Sequence, residues 1–134
     1  MTTKAEWTAL AERCEKATGP DQKLDAAIEL ALGRQVEWHV VSGEWNKHPV
    51  QLTSWGGEAV PDFTRSLDAI TALIERELPE MQWLCRPDAK GGFGNLYPKS
   101  HFDLVDYPIW PSYAATPALA LCAAFAKAMA EKAA

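Results

Sequence analysis

His101-x-Asp103 is the pair best suited to acid/base or metal chemistry, with His39 and His48 as the other histidines that could join it. In an extended strand, residues i and i+2 face the same side, so His101 and Asp103 could point into one pocket. A zinc site needs three or four converging ligands, and no Cys-x-x-Cys or His-x-x-x-His spacing supplies them. The pair therefore reads as two polar residues on a solvated strand face, and no metal is expected. Gly91-Gly92-Phe93-Gly94 looks like a phosphate loop only in composition. A dinucleotide fingerprint runs from a strand directly into a helix whose N-terminus meets the pyrophosphate. Here strand-like residues follow, which predicts a hairpin turn using positive φ. Cys14, Cys85 and Cys122 are widely spaced in apolar patterns and read as reduced core thiols, which are unreactive without a cationic neighbour. No Gly-x-Ser-x-Gly elbow is present. No catalytic residue, metal or cofactor is expected from these residues.

Six tryptophans offer a different kind of chemistry, that of binding. Trp7, Trp38 and Trp83 fall in phase with the apolar faces of their elements and are expected in the core. Trp45, Trp55 and Trp110 lie in Gly/Pro-rich segments. Exposed tryptophans mark binding surfaces, so these three, with His48, are the candidate partner-binding residues. The competing expectation is that such rings fold back to cover a sheet, a role that suits Trp55 ahead of Gly56-Gly57, while Trp45 is the expected anchor for a partner.

The elements that must position these residues follow from periodicity. Thr116 and Pro117 are an N-cap and a first helical residue. Ala118, Leu121, Cys122, Phe125 and Met129 then form one apolar stripe on an alanine-rich helix that predicts the centre of the core. A first helix, capped by Thr2 or Thr3, runs to about Ala17 and stops at Gly19-Pro20. A second, capped by Asp21, buries Leu24, Ala27, Ile28 and Leu32 and stops at Gly33. Gln35 to Val41 alternates as a strand, with Val36, Trp38 and Val40 on its buried face. Ser42 to Asp62 reads as a long connection in which only Val50 to Thr53 could pair. A third helix opens at Ser66, buries Leu67, Ile70, Leu73, Ile74 and Leu78, and ends at Pro79. Met81 to Arg86 is a strand with Met81, Trp83 and Cys85 inward, and Asp88 to Asn95 is a turn. Leu96-Tyr97 and His101 to Tyr107 carry further strand signal, broken by Pro98.

The predicted fold is a small α/β (α+β) layered sandwich over residues 1–134 as one domain. An antiparallel sheet of three to four strands packs with about four helices. With 134 residues, the chain can bury a core without disulfide staples. A net charge of −5 with no clustered Lys/Arg argues against a nucleic-acid surface. No apolar run reaches the roughly 20 residues of a membrane span and no signal-peptide pattern opens the chain, so a cytoplasmic protein is expected.

Three segments carry a family resemblance: Ala17-Thr18-Gly19-Pro20-Asp21 with Leu24-Asp25-Ala26, Pro61-Asp62-Phe63-Thr64-Arg65-Ser66-Leu67-Asp68-Ala69, and Ala115-Thr116-Pro117-Ala118-Leu119-Ala120-Leu121-Cys122-Ala123-Ala124. In order and spacing they resemble small phage and prophage proteins of the phage ABA-sandwich domain family, across nearly the whole chain. The resemblance implies an α/β/α-type sandwich and a phage context, with no established reaction and no agreed site residues. The expected function is a non-enzymatic phage or prophage accessory protein that binds a bacterial host protein, a host defence system being one target class. The alternative is a small enzyme or ligand- or metal-binding domain with a pocket near His101 and Asp103.

Overall fold

The computed structural model describes residues 2–40, 47–53, 56–99 and 110–133. Four helices and two three-stranded antiparallel sheets make up a mixed α+β architecture, as the periodicity predicts. The strand inventory differs from the single sheet expected.

Helix α1 (Lys4–Lys16) starts where Thr3 accepts a hydrogen bond from Glu6 N–H at 3.1 Å. Helix α2 (Gln22–Ala31) is capped by Asp21, whose Oδ1 accepts from Lys23 N–H at 2.8 Å, and is followed by Gly33 at φ +87°. Helix α3 (Leu67–Glu77) opens on Ser66 and ends at Leu78, ahead of Pro79. Helix α4 (Pro117–Ala133) opens on Thr116, which accepts from Leu119 N–H at 3.2 Å. All four starts are the ones that local chemistry dictates.

α4 is the centre of the core, and more completely than one stripe implies. Besides Ala118, Leu121, Cys122 and Phe125, the residues Leu119, Ala120, Ala123, Ala124 and Ala126 are buried, so its first turns are enclosed on all sides. On one side lies α1, with Trp7 meeting Phe125 edge-on, centroids 5.9 Å apart. On the other lies a sheet of β4 (Met81–Asp88), β5 (Gly91–Pro98) and β6 (Ser112–Ala114), in the order β4-β5-β6. The register pairs Trp83 with Leu96, Cys85 with Gly94 and Gly94 with Ser112. A Cβ on Gly94 would come within 2.8 Å of the Ala120 and Leu121 backbone, and one on Gly92 would run into Thr116 and Pro117. The glycines therefore let β5 lie directly against α4. The turn expected over Asp88 to Asn95 contracts to Ala89-Lys90, with Gly91 at φ +126°, and Gly92 to Asn95 belong to the strand.

Within the long connection, the described residues 47–53 and 56–59 are strands. β1 (Val36–Val40), β2 (Lys47–Thr53) and β3 (Gly56–Ala59) pair antiparallel in sequence order. Pro49 hides this from a propensity reading because proline is rarely found in a central strand. Its carbonyl accepts from Val60 N–H at 3.3 Å, so the side of Pro49 that lacks an N–H is turned to the end of β3. Four burial expectations fail, the first being Val40, which is 58% exposed. Trp38 is 40% exposed, Trp83 39% exposed, and Leu67 lies at the surface. Among the described residues β1 and β4 are both edge strands, so each of these tryptophans has a neighbouring strand on one side only.

Candidate functional site

A polar cleft of about 300 Å³ lies where α2 begins, lined by Pro20, Asp21, Gln22, Asp25, Asp62 and Arg65. Two local devices build it. Asp21 caps α2 and directs its first turn, while the turn at residues 61–65 leads into α3. Thr64 ties the two together: its hydroxyl accepts from Asp21 N–H at 2.9 Å and lies 3.2 Å from the Asp21 carbonyl, to which it donates. The Thr64 N–H donates to Asp25 Oδ1 at 2.8 Å.

Asp25 is the unusual group. It is only 2% exposed, and burial pushes its carboxyl up to about 6. The Thr64 hydrogen bonds oppose that rise, and the neighbouring Asp62 and Asp21 charges add to it. A carboxyl that titrates near pH 6 in a cleft can exchange a proton with a bound molecule under physiological conditions. Sequence reading missed it, although a signal was present: Asp25 and Glu29 sit at i and i+4, in phase with the buried Leu24 and Ile28. Glu29 is also buried; its Oε1 accepts from Arg34 Nη1 at 2.6 Å, and its Oε2 has no hydrogen-bond partner among the described residues.

The expected site residues scatter. His48 lies on β2, half-buried, with Nδ1 2.9 Å from Gln22 Nε2, which brings it to the rim of the Asp25 cleft. Trp110 is half-buried against the core, and its N–H donates to Asn95 Oδ1 on β5 at 3.2 Å. His48 belongs to the β1–β3 sheet, whereas Trp110 precedes β6 (Ser112–Ala114) and bonds to β5 of the other sheet. Trp45, Trp55, His101 and Asp103 lie outside the described residues. His39 is on β1, its Nε2 3.8 Å from Glu37.

The thiols are placed as the sequence predicts for Cys14 and Cys122. Burial pushes Cys14 up to about 12 and Cys122 well above the ordinary thiol range, and the Cys122 thiol donates to the Phe63 carbonyl at 3.2 Å. Such thiols hold their protons and are poor nucleophiles. Among the described residues, no three His, Cys, Asp or Glu side chains are grouped to hold a metal ion, and no helix is long and apolar enough to cross a membrane.

The outer side of the β4–β6 sheet presents a second kind of site. Leu84 on β4 and Tyr113 on β6 are exposed there, whereas Trp83, also exposed, alternates to the opposite side of the sheet with Met81 and Cys85. Tyr113 meets Phe93 edge-on with centroids 5.1 Å apart, and the Arg86 guanidinium sits 4.8 Å over the Phe93 ring. This is a surface of aromatic rings and a held arginine, the side-chain types that dominate protein interfaces. Searched against protein-family models, curated proteins and solved structures, the chain matches none of them.

Proposed function

We propose that the chain is a non-enzymatic binding protein of phage or prophage origin that engages a protein of its bacterial host, in the host cytoplasm. A component of host defence is the target class that fits such a role. The phage context rests on the resemblance of the three sequence segments. The binding role rests on one observation: Leu84 and Tyr113 stand exposed around the Arg86–Phe93 stack. Large apolar side chains left in water at a strand edge and sheet face suit a partner's surface. This surface is proposed beside the expected anchors Trp45, His48, Trp55 and Trp110, of which Trp45 and Trp55 lie outside the described residues.

A second reading, a small-ligand-binding or enzymatic domain, draws on the Asp25 cleft rather than on His101 and Asp103. One experiment separates the two. Tagged protein is used to capture partners from a bacterial lysate, beside the variants Leu84→Ala and Tyr113→Ala. The binding role predicts one saturable protein whose affinity falls about 30-fold in a variant, as for a lost hot-spot ring of about 2 kcal/mol, with an unchanged melting temperature. Equal capture by wild type and both variants would overturn this surface. A melting temperature raised by a nucleotide, amine or metal ion, and abolished by Asp25→Asn, would favour the second reading.

A further inference from the structure

We infer that the outer edge of β1 is a self-pairing surface, on which a second copy of this chain adds its own β1 antiparallel about a two-fold axis at Trp38. The proposal stands independently of any host partner and rests on three features of the strand.

The first is direction. In an antiparallel ladder, a residue's N–H and C=O point to the same lateral side, and the side alternates along the strand. Pro49 turns its carbonyl to Val60, so its neighbours His48 and Val50 turn theirs to β1. Their partners in the register are His39 and Glu37. Val36, Trp38 and Val40 therefore aim their backbone groups outward, away from β2. Among the described residues, no strand pairs with that side.

The second is self-complementarity. β1 reads Val-Glu-Trp-His-Val. Turned about a two-fold at Trp38, Val36 faces Val40 of the second copy, Glu37 faces His39, and Trp38 faces its own copy. The outward residues Val36, Trp38 and Val40 would form the hydrogen-bonded pairs, a ladder of about six backbone bonds. Glu37 and His39 would form the non-bonded pairs, where opposing Cα atoms approach to about 4.5 Å and side chains interact most closely. An isologous interface requires a patch that complements itself, and this strand has one.

The third is the lack of protection. Proteins guard sheet edges with lysine, proline, bulges or short strands. β4 carries Arg86 and Pro87, β6 is three residues long, and β3 is four residues with Glu58. β1 is longer than β3 and β6 and carries no lysine, arginine or proline, its Glu37 is matched by His39 in the two-fold pairing, and it holds Trp38 and Val40 at 40% and 58% exposure. The result would be a six-stranded sheet with a small interface, hence a weak, concentration-dependent dimer.

Sedimentation equilibrium of the full chain from about 10 μM to about 1 mM, with amide hydrogen exchange followed at both ends of that range, tests this. A dimer is expected at the high end, with the Val36, Trp38 and Val40 amides becoming protected as it forms. His39→Glu sets glutamates against each other across the axis twice and should weaken association about tenfold or more. Adding Glu37→Lys to that variant restores opposite charges and should restore association. Glu37 and His39 side chains are half-exposed, so both variants should fold, and an unchanged melting temperature confirms it. A monomer at the highest concentration, a dimer indifferent to His39→Glu, or protection at amides of another edge would each overturn the proposal. So would an edge that stays open to its own copy and closes only on a foreign extended peptide.

Discussion

The β4–β6 sheet lies along α4, with Leu96 and the glycines of β5 pressed against the helix, whereas the β1–β3 meander touches α2 alone among the described helices. Both are three-stranded and antiparallel. One has a buried face and the other is half-open, with four of the five β1 residues exposed. The contrast shows that an alternating strand pattern creates a face able to be buried, and that burial happens only where another layer arrives. β5 met such a layer because Gly92 and Gly94 removed the side chains that would have held α4 away. The buried apolar surface of this protein therefore concentrates around α4, and its exposed aromatic rings Trp38, Trp83 and Tyr113 lie on edge strands.

Replacing Leu121 by alanine tests the buried half most severely. This fully enclosed side chain should cost about 2–5 kcal/mol, read from chemical denaturation, through lost transfer energy and the cavity left behind. A loss of a few tenths would place α4 outside the core and erase the contrast.

A change of intermediate size tests the junction of the two halves. Because burial raises the Asp25 carboxyl to about 6 from an ordinary value of 3.8, the folded state holds this proton more tightly than the unfolded chain. The folded state is thus favoured at low pH, and stability is lost as pH rises from about 4 to 6, by up to about 3 kcal/mol. Asp25→Asn keeps an oxygen for the Thr64 N–H and removes the charge. It should stabilise the protein at pH 7 by about 1–3 kcal/mol and flatten the stability profile between pH 4 and 6. An Asp25→Asn variant that is less stable at pH 7 would show that the cleft favours the carboxylate.

The smallest effect belongs to the open half. Trp38→Ala should cost under about 1 kcal/mol in a dilute sample, since the ring is 40% exposed and lies at an edge. A loss comparable to that of Leu121→Ala would mean the meander shares the main core after all.

Most of the element starts were determined by local sequence. Thr3, Asp21, Ser66 and Thr116 cap their helices because a short polar side chain can reach an unbonded N–H within its own turn, a preference that needs no tertiary partner. The α4 stripe was equally legible, because helical period and alanine content are properties of the segment itself. The tertiary structure alone decided the rest. Residues 47–53 and 56–59 pair as strands around Pro49 because β1, β2 and β3 supply one another with partners that propensity cannot see. Trp38 and Trp83 are exposed because their strands ended up at sheet edges, a fact of topology rather than of pattern. Asp25 became the titrating group of a cleft because Thr64, 39 positions away, closed over it. Burial and its electrostatic consequence arise between segments distant in sequence, so periodicity within α2 marked the residue's direction and could not mark its environment.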